Sequence, residues 1–349
     1  MVQKAITELK KRIEQLREKQ NIAVVYHFDV DGCASASLLW RYFELNHISA
    51  KFFPATRGFE IVTIERITKF QPDKIVLVDY IPGQEMVEFL KSYDAEIIDH
   101  HMHEKHLEAF DYYTSADAGI SAAVSYTISR AMEELGVRNI KWLGKVGSFW
   151  DKTMEQTEFY YDGVYEKELE SMMPFNLIVG LTHTKGSEHL FEVFNKSSTF
   201  EDAIEAVTSL DDYKKAAQIF KEELKEIEFS RKEYPQIKLC VYWVKTRFKH
   251  IRIYVDYITY RSPGTKLFIL NENVRFKFSI RTSLGINLVE LVRDISKEYK
   301  NFSGGGHPQA CGAMLVGENI DDVLNDFIEK YKKLVQDIGA KTKTPAKRK

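Results

Sequence analysis

The chain has 349 residues, of which 44% are apolar and 13% aromatic. This composition is typical of a folded globular protein, excludes an intrinsically disordered one, and at this length predicts two domains. Because 49 basic residues are set against 51 acidic ones, the net charge of −2 gives no overall electrostatic reason to expect a polyanionic partner. The last nine residues, "KTKTPAKRK", have five basic side chains and no acidic one, so we expect a solvated basic tail over residues 339–349 rather than a nucleic-acid contact.

Cysteine content and hydropathy indicate a reducing, aqueous compartment. The three cysteines, Cys33, Cys240 and Cys311, are far apart and form no C-x-x-C pair, which argues against a disulfide framework. The N-terminus alternates lysine and glutamate instead of carrying a secretion signal, and no apolar run is long enough to span a bilayer. The prediction is a cytoplasmic protein without a membrane partner.

The first part of the chain has the pattern of an α/β domain. Apolar residues at intervals of three and four between Ile6 and Leu16 predict an amphipathic helix that packs on this domain. Three short, nearly continuous apolar segments follow, with helical stretches between them: "IAVVY" (residues 22–26), "KIVLV" (74–78) and "AEII" (95–98). Segments of this kind are typical of the buried strands of a parallel sheet.

The middle of the chain is predicted to be helical. From Gly119, "GISAAVSYTISRAMEELG" predicts a helix that stops at Gly136. The region 151–234 is acidic and mostly helical in pattern, and it leads to a linker at Pro235.

After Pro235 the composition changes to that of a smaller α/β domain. Strand-like segments are "IKLCVYWV", "IRIYVDYITYR", "TKLFILNE" and "VRFKFSIR", and "GINLVELVRDISKEY" predicts a helix. The predicted fold is therefore α/β, with a parallel-sheet N-terminal domain, a helical connecting region and a smaller α/β C-terminal domain. The predicted bounds are 1–195 for the first domain with its N-terminal helix, 196–235 for the connector and linker, 236–338 for the second domain and 339–349 for the tail.

Acidic and imidazole side chains follow each of the three predicted strands. Because ligands of a parallel sheet collect at the carboxyl ends of its strands, we expect these side chains to converge. They are His27, Asp29 and Asp31 after the first strand, Asp79 after the second, and Asp99, His100 and His101 after the third. In "HFDVDG" the polar residues are two apart, so we expect their side chains to project to one side of an extended chain, with Gly32 freeing the backbone to turn into a helix.

Such a concentration of carboxylates predicts a divalent metal centre, because acids buried together must be neutralised by cations. Asp151, in "LGKVGSFWDKT", is the natural remaining ligand. Mixed carboxylate and imidazole ligands favour Mn²⁺ or a similar cation over calcium, and the lack of a cysteine ligand argues against structural zinc. With one carboxylate bridging, such a set can hold two ions about 3.5–4 Å apart, the arrangement used to attack phosphoryl centres.

Four segments, in this order, resemble the motifs of the DHH phosphoesterase superfamily: "HFDVDGCAS", "VDY", "IDHH" and the later Asp151. The segment "SIRTSLGINLVELVRDISKEYKNFSGGGHPQACGAML", residues 279–315, resembles the DHHA1 domain that commonly follows, with its "GGGH" signature. The opening H-x-D-x-D-G spacing is similar to that of RecJ-type exonucleases. This spacing and the charge-rich composition most resemble the compact archaeal ones, including those associated with a helicase, although the short chain fits an oligonucleotide phosphodiesterase equally well. The oligoribonuclease and cyclic-dinucleotide phosphodiesterase branch usually has H-x-x-P-D-x-D, which this chain lacks.

The resemblance implies a role for each of these residues. One metal ion would be held by His27, Asp29 and Asp79, and the other by Asp31, Asp79, His100 and Asp151, with Asp79 bridging. The implied catalytic set is Asp99, His100 and His101, in which Asp99 orients the neighbouring histidine and His101 faces the substrate phosphate. His103 and His106 do not match the motif, and we expect them to be surface residues.

The glycine-rich segment "SGGGH" predicts a turn that binds an anion. Gly304, Gly305 and Gly306 let several backbone N–H groups point into one concavity, and His307 adds a side-chain donor, although a tight turn without a ligand has the same pattern. The resemblance adds Arg281 as a bidentate phosphate clamp, with Ser283 beside it in the substrate-binding set. A metal centre on one domain and a phosphate grip on the other predict a substrate cleft between them.

The combined prediction is a two-metal exonuclease that uses Mn²⁺, or alternatively Mg²⁺, to hydrolyse single-stranded DNA or RNA, by analogy from 3′ to 5′, in DNA repair or replication. Expected partners are single-stranded nucleic acid, a repair helicase or replisome component, and a second copy of the chain. Two alternatives stay open. One is hydrolysis of very short oligonucleotides or cyclic dinucleotides, and the other is a non-catalytic replication scaffold that has lost its metal ligands.

Overall fold

The computed structural model describes residues 2–19, 21–102, 105–248 and 251–342. The chain divides into two compact units, Met1–Ala217 and Gln218–Lys349. His103 and the last part of the predicted basic tail, 343–349, lie outside the described residues, and the domain bounds given above stay predictions. Within the described ranges, no helix is both long and apolar enough to cross a membrane.

The first unit alternates strands and helices and then continues as helices. Its strands are β1 (Ile22–His27), β2 (Ala50–Ala55), β3 (Lys74–Val78), β4 (Asp94–Asp99) and β5 (Asp111–Thr114). Its helices are α1 (Val2–Gln15), α2 (Val30–Leu45), α3 (Glu60–Phe70), α4 (Gln84–Leu90), α5 (Val124–Glu134), α6 (Lys141–Trp150), α7 (Val164–Thr182), α8 (Thr184–Lys196) and α9 (Phe200–Ser209), and α10 (Asp211–Phe229) runs into the second unit.

The five strands form one parallel sheet in the order β2-β1-β3-β4-β5. The three predicted strands, β1, β3 and β4, are adjacent at its centre, so the predicted parallel-sheet domain is confirmed. Alternate residues of these strands, such as Val25 and Leu77, pack in one apolar cluster with Ile67 of α3 and Met86 of α4, while α2 contacts β1 and β3. Both faces of the central strands are therefore covered, which explains their continuous apolar pattern.

The N-terminal helix α1 buries the predicted apolar stripe. Ile6, Leu9, Ile13 and Leu16 are each at most 4% exposed, and the helix packs against α5. Helix α5 itself begins at Val124 and not at Gly119, so the predicted helix was placed five residues too early. The cause is a carboxylate from another element that caps α5, described below.

The second unit is built on a mixed six-stranded sheet in the order β10-β11-β9-β8-β7-β6. Its strands are β6 (Lys232–Tyr234), β7 (Leu239–Val244), β8 (Thr265–Asn271), β9 (Arg275–Thr282), β10 (Phe302–His307) and β11 (Ala310–Val316). Its other helices are α11 (Arg252–Tyr260), α12 (Leu288–Glu298) and α13 (Ile320–Thr342). Residues from β7, β8, β9, α12 and α13 share one apolar core, which confirms the predicted smaller α/β domain.

Two local predictions in this unit were wrong. The segment "IRIYVDYITYR" is not a strand, because residues 252–260 form helix α11. Strands β7 and β8 are parallel, and a parallel pair needs a crossover connection, which α11 supplies. The linker predicted at Pro235 is also structured, since residues 232–234 pair with β7 as the edge strand β6 and residues 235–237 form a short 3₁₀ helix.

Candidate metal centre

The candidate metal centre lies at the carboxyl edge of the parallel sheet. His27 is the last residue of β1, Asp79 follows β3 directly, and Asp99 is the last residue of β4. Because β1, β3 and β4 are neighbours and run in the same direction, their ends meet at this edge. The strand ends thereby bring together polar residues that are up to 72 positions apart in the sequence, counted from 27 to 99.

A first group of potential ligands consists of His27, Asp29 and Asp79. One ligand atom from each residue lies within 4.8 Å of the others. The Nδ1 atom of His27 is 3.0 Å from Oδ2 of Asp29 and 3.9 Å from Oδ2 of Asp79. This is the set of residues that the sequence resemblance implied for one metal ion.

A second group consists of Asp31, Asp79, His100 and Asp151, again with ligand atoms within 4.8 Å of one another. The Nε2 atom of His100 is 3.5 Å from Oδ1 of Asp79 and 3.2 Å from Oδ2 of Asp151. Asp79 therefore belongs to both groups and turns a different oxygen toward the histidine of each. A shared carboxylate of this kind is what a bridged pair of cations requires.

The segment after β1 is not extended as predicted. Asp29 is the N-cap of α2, its Oδ1 atom accepts a hydrogen bond from the backbone N–H of Gly32 at 3.0 Å, and Asp31 lies in the first helical turn. Helix geometry, rather than strand alternation, therefore aims the two carboxylates. Gly32 is required for close approach, since a methyl group there would lie 2.1 Å from the carbonyl oxygen of His27.

Asp31 is buried and caps helix α5. Its two carboxylate oxygens accept hydrogen bonds from the backbone N–H groups of Val124, at 3.0 Å, and Ser125, at 3.2 Å. These N–H groups have no intrahelical partner at a helix N-terminus, so the carboxylate determines where α5 begins. Helix α6 approaches from the other side, where a methyl group on Gly147 would lie 2.0 Å from Oδ1 of Asp31.

The shared residue Asp79 has a left-handed backbone conformation, with φ of 55°. Among non-glycine residues, aspartate and asparagine tolerate this conformation best. Burial raises the pKa of Asp79 well above its ordinary value, and the nearby carboxylates of Asp31 and Asp29 raise it further. Burial also raises the pKa of Asp31, to about 7. A cation at this position would remove the cost of ionising these acids.

His100 provides a separate sign that these residues fit a cation. Its Nε2 atom is buried and, although it lies 3.2 Å from Oδ2 of Asp151, makes no hydrogen bond among the described residues, while the ring is hydrogen-bonded to the backbone of Ala122. Burial and the neighbouring His101 lower the pKa of His100 to about 4, so its imidazole is neutral near pH 7. A neutral imidazole that is anchored through one nitrogen and has a lone pair on the other is the usual form of a metal-ligating histidine.

Asp99 holds His101 rather than the ring of His100. Its Oδ1 atom is 2.9 Å from Nδ1 of His101, and Tyr112 donates to its Oδ2 atom at 3.2 Å. The hydrogen bond to Asp99 raises the pKa of His101 to about 9. Because 52% of the side chain of His101 is exposed, this positively charged ring is accessible to an anion.

Two contributions to the centre were not found from the sequence. The indole N–H of Trp150 donates to Oδ2 of Asp29 at 2.8 Å, and Gly147 allows α6 to approach Asp31. Gly144 and Gly147, three apart on one helix just before Asp151, are a pattern typical of close helix packing and would have indicated the second contribution. No local pattern indicates the hydrogen bond between Trp150 and Asp29, whose partners are 121 residues apart.

The second unit holds the residues predicted to bind substrate. Arg281 lies on β9, paired with Ala310 of β11, which in turn pairs with His307 of β10. The Nη1 atom of Arg281 donates to the carbonyl of Ile280 at 2.9 Å, and its Nε atom is buried without a hydrogen-bond partner in the described chain. Ser283 follows β9, and its Oγ atom accepts a hydrogen bond from the backbone N–H of Gly264 at 2.9 Å.

The predicted glycine turn is a strand. Gly304, Gly305 and Gly306 lie in β10, an exposed edge strand that pairs with β11. The glycines permit tight pairing, since a methyl group on Gly304 would lie 2.5 Å from the carbonyl oxygen of Gly312, and Gly306 has φ of 139°. Gly304 and Gly306 are therefore required by the hairpin itself, and a strand ladder takes the place of the expected concave nest.

Comparison with known proteins identifies both parts of the chain. The profile of the DHH family, N-terminal domain, matches residues 21–144, and that of the DHHA1 domain matches residues 236–335. Among curated protein sequences, none matches this chain.

Solved structures share the fold at low sequence identity. RecJ from Thermus thermophilus, in complex with Mn²⁺, is 15% identical to this chain with a TM-score of 0.60. The alignment covers 95% of this chain and 55% of RecJ, so the chain spans about half of that protein's length. A DHH domain described as a member of the s1p family of ribosomal proteins is 16% identical with a TM-score of 0.63, covering 95% and 91%. PggH, a pGpG-specific phosphodiesterase from Vibrio cholerae, is 14% identical with a TM-score of 0.52, covering 90% and 99%.

Proposed function

Because the chain belongs to the DHH superfamily of phosphoesterases and has a DHHA1 domain, we propose that it is a two-metal phosphodiesterase that removes nucleotides from one end of single-stranded DNA or RNA. The observation that carries this proposal is the pair of ligand groups that share Asp79, one with His27 and the other with His100. Both groups contain every ligand that the family resemblance implies, which argues against a non-catalytic scaffold that has lost its metal ligands.

Mn²⁺ is the proposed cation, with Mg²⁺ as the alternative. Each group combines one imidazole with carboxylates, and this donor mixture suits Mn²⁺ better than calcium. Bound divalent cations would lower the pKa of a coordinated water toward neutrality and stabilise charge on the phosphoryl oxygens.

The chain's own residues would prepare the phosphate for attack. His101, fixed through Nδ1 by Asp99, presents a charged and accessible ring next to the ligand groups, and we assign it to the substrate phosphate. In the second unit, Arg281 has a guanidinium whose Nε atom has no partner among the described residues, and it is the proposed clamp for a further phosphate, with Ser283 and the β10 residues beside it.

The proposal also includes digestion from 3′ to 5′, a role in DNA repair or replication, and a cytoplasmic location. Its proposed partners are a helicase, a replisome component or a second copy of the chain. The polarity and the helicase partner rest on analogy with compact archaeal RecJ-like nucleases, and the cytoplasmic location rests on the cysteine content and hydropathy of the sequence.

The test is digestion of 20-nucleotide single strands labelled at one end, with Mn²⁺ and with Mg²⁺. We expect a ladder of products shortened from the 3′ end, and no products with Asp79→Asn. Shortening from the 5′ end would overturn the proposed polarity, and full activity of Asp79→Asn would overturn the two-metal mechanism.

A second candidate is hydrolysis of dinucleotides or cyclic dinucleotides. It is favoured by the similarity in fold to PggH, a pGpG-specific phosphodiesterase, 99% of which is covered by this chain. Turnover of pGpG and of the 20-nucleotide strand should be measured side by side. Preference for the dinucleotide would replace the exonuclease proposal with this one.

A further inference from the structure

Helix α6 contributes to both ligand groups through two consecutive residues at its C-terminal end. Asp151, the C-cap of the helix, belongs to the group with His100. Trp150, the last helical residue, belongs to neither group, but its Nε1 atom donates to Oδ2 of Asp29 in the other group at 2.8 Å. The backbone N–H of Asp151 is bonded to the carbonyl of Gly147 at 2.9 Å, so this end of the helix is well defined.

Besides His27, which belongs to the same ligand group, two donors from different parts of the chain hold the carboxylate of Asp29. Its Oδ1 atom accepts from the N–H of Gly32, a contact within the same helix start. Its Oδ2 atom, which lies 3.0 Å from Nδ1 of His27, accepts from Trp150. When His27 binds a cation instead of Asp29, the Gly32 contact alone would let the carboxylate rotate, so the indole N–H is the donor that keeps Oδ2 in place.

We propose that Trp150 is a positioning residue that sets the affinity of the His27–Asp29–Asp79 group for its cation without contacting that cation. This inference rests on the proposed two-metal function, because it assigns one residue to one of the two sites. Partners that orient a metal ligand typically contribute about 10- to 100-fold in metal affinity. The effect should fall on one site, since Asp29, which accepts the indole N–H, is a member of the group with His27 and not of the group with His100.

Trp142 provides a matched control on the same helix. Its Nε1 atom is buried and has no hydrogen-bond partner among the described residues, and its ring packs edge-on against Phe194 at 5.4 Å. Trp142→Phe and Trp150→Phe therefore make the same chemical change in α6. They differ in one respect: the N–H deleted from Trp150 donates to Asp29, a potential metal ligand, whereas the N–H deleted from Trp142 has no partner among the described residues.

The experiment is titration of the metal-free full-length chain with Mn²⁺, followed by calorimetry and by electron paramagnetic resonance of free Mn²⁺. For the wild type we expect two sites. For Trp150→Phe we expect one site weakened by about tenfold or more, and for Trp142→Phe we expect both unchanged. Activity of Trp150→Phe should recover at saturating Mn²⁺, which a damaged fold would not allow.

The titration distinguishes a failure of the Trp150 role from a failure of the two-metal function. If Trp150→Phe binds both ions as the wild type does, or loses affinity equally at both sites, the positioning role is wrong while the two-metal proposal stands. If the wild type itself binds no Mn²⁺, the proposed function fails first.

A measurement on the wild type covers the case in which Trp150→Phe does not fold. The chain has four tryptophans, so its indole N–H resonances can be assigned by replacing the other three. Saturation with Mg²⁺ should shift the resonance of Trp150 and leave that of Trp142 in place. An unmoved Trp150 resonance would contradict the proposal.

Discussion

The candidate metal centre in the first unit and the proposed phosphate grip in the second both lie beside a sheet, but their residues are held in place differently. In the metal centre Asp31 and Asp79 are at most 4% exposed, and distant segments such as the start of α5 determine their positions. In the second unit the residues of β10 from Ser303 to His307 are exposed and are held by pairing with β11. The buried carboxylates of the centre need a bound cation to neutralise their charge, whereas the exposed strand β10 is stable without a bound ligand.

The largest expected effect of any substitution is that of Asp79→Asn, which keeps the left-handed backbone but removes the shared charge. Catalytic efficiency should fall by at least about a hundredfold, the usual cost of losing one preorganised charge-stabilising group. The measurement is kcat/KM on a labelled single strand.

Thermal unfolding of the same variant tests the metal centre independently of activity. A cation at about 100 times its Kd should stabilise the wild type by about 2.7 kcal/mol. Mn²⁺ should therefore raise the melting temperature of the wild type and leave that of Asp79→Asn nearly unchanged. An equal rise in both would mean that Asp79 does not hold the ions.

In the second unit, Arg281→Gln should raise KM by about 10- to 100-fold, because a hydrogen bond to a charged group contributes about 1.5–3 kcal/mol. The affinity for Mn²⁺ should stay at the wild-type value, since Arg281 is absent from both ligand groups. A loss of Mn²⁺ binding in this variant would contradict the assignment of metal binding to the first unit and phosphate binding to the second.

Gly147→Ala should affect folding and metal binding together. Its methyl group would lie 2.0 Å from Oδ1 of Asp31, so we expect a loss of about 1–3 kcal/mol in the free energy of unfolding and weaker Mn²⁺ binding. Gly144→Ala is the control on the same helix, because its methyl group would meet Oγ of Ser129 at 2.5 Å instead. That variant should be destabilised in urea but should bind Mn²⁺ normally.

The smallest effect is expected for Gly305→Ala in the exposed strand β10. A methyl group there would meet no atom within 4 Å, so the free energy of unfolding should change by less than about 0.5 kcal/mol. Gly304→Ala, one position earlier in the same strand, should be clearly destabilised because of its contact with Gly312. Similar stabilities of the two variants in urea would contradict the tight pairing of β10 with β11.

The central strands could be predicted from the sequence because burial on both faces leaves a continuous apolar run. Strand β2 was missed because "AKFFPA" contains Pro54, which disfavours a strand reading and is tolerated here at the edge of the sheet. Strand β5 has four residues, too few for a pattern. Helix α11 was assigned as a strand because β-branched and aromatic residues dominate it, and only the parallel pairing of its flanking strands identifies it.

The candidate metal centre could likewise be predicted only in part, because some of its contacts depend on tertiary packing. Most of its potential ligands follow strands, so the convergence of these could be inferred from strand ends, whereas Asp151 ends helix α6. The contacts that aim them join residues far apart in the sequence, such as Asp31 with Val124 and Asp29 with Trp150. Such contacts depend on how α5 and α6 pack, which no local spacing encodes.

The left-handed conformation of Asp79 also limits how a descendant of this protein could evolve. A lineage that gave up catalysis would lose the need for a charge at this position but not the need for a residue that tolerates φ of 55°. Asparagine or glycine would meet that need, whereas a β-branched residue would strain the end of β3. An inactive relative with asparagine or glycine at this site would therefore be expected to keep the sheet intact, so the substitution marks a lost activity rather than a lost fold.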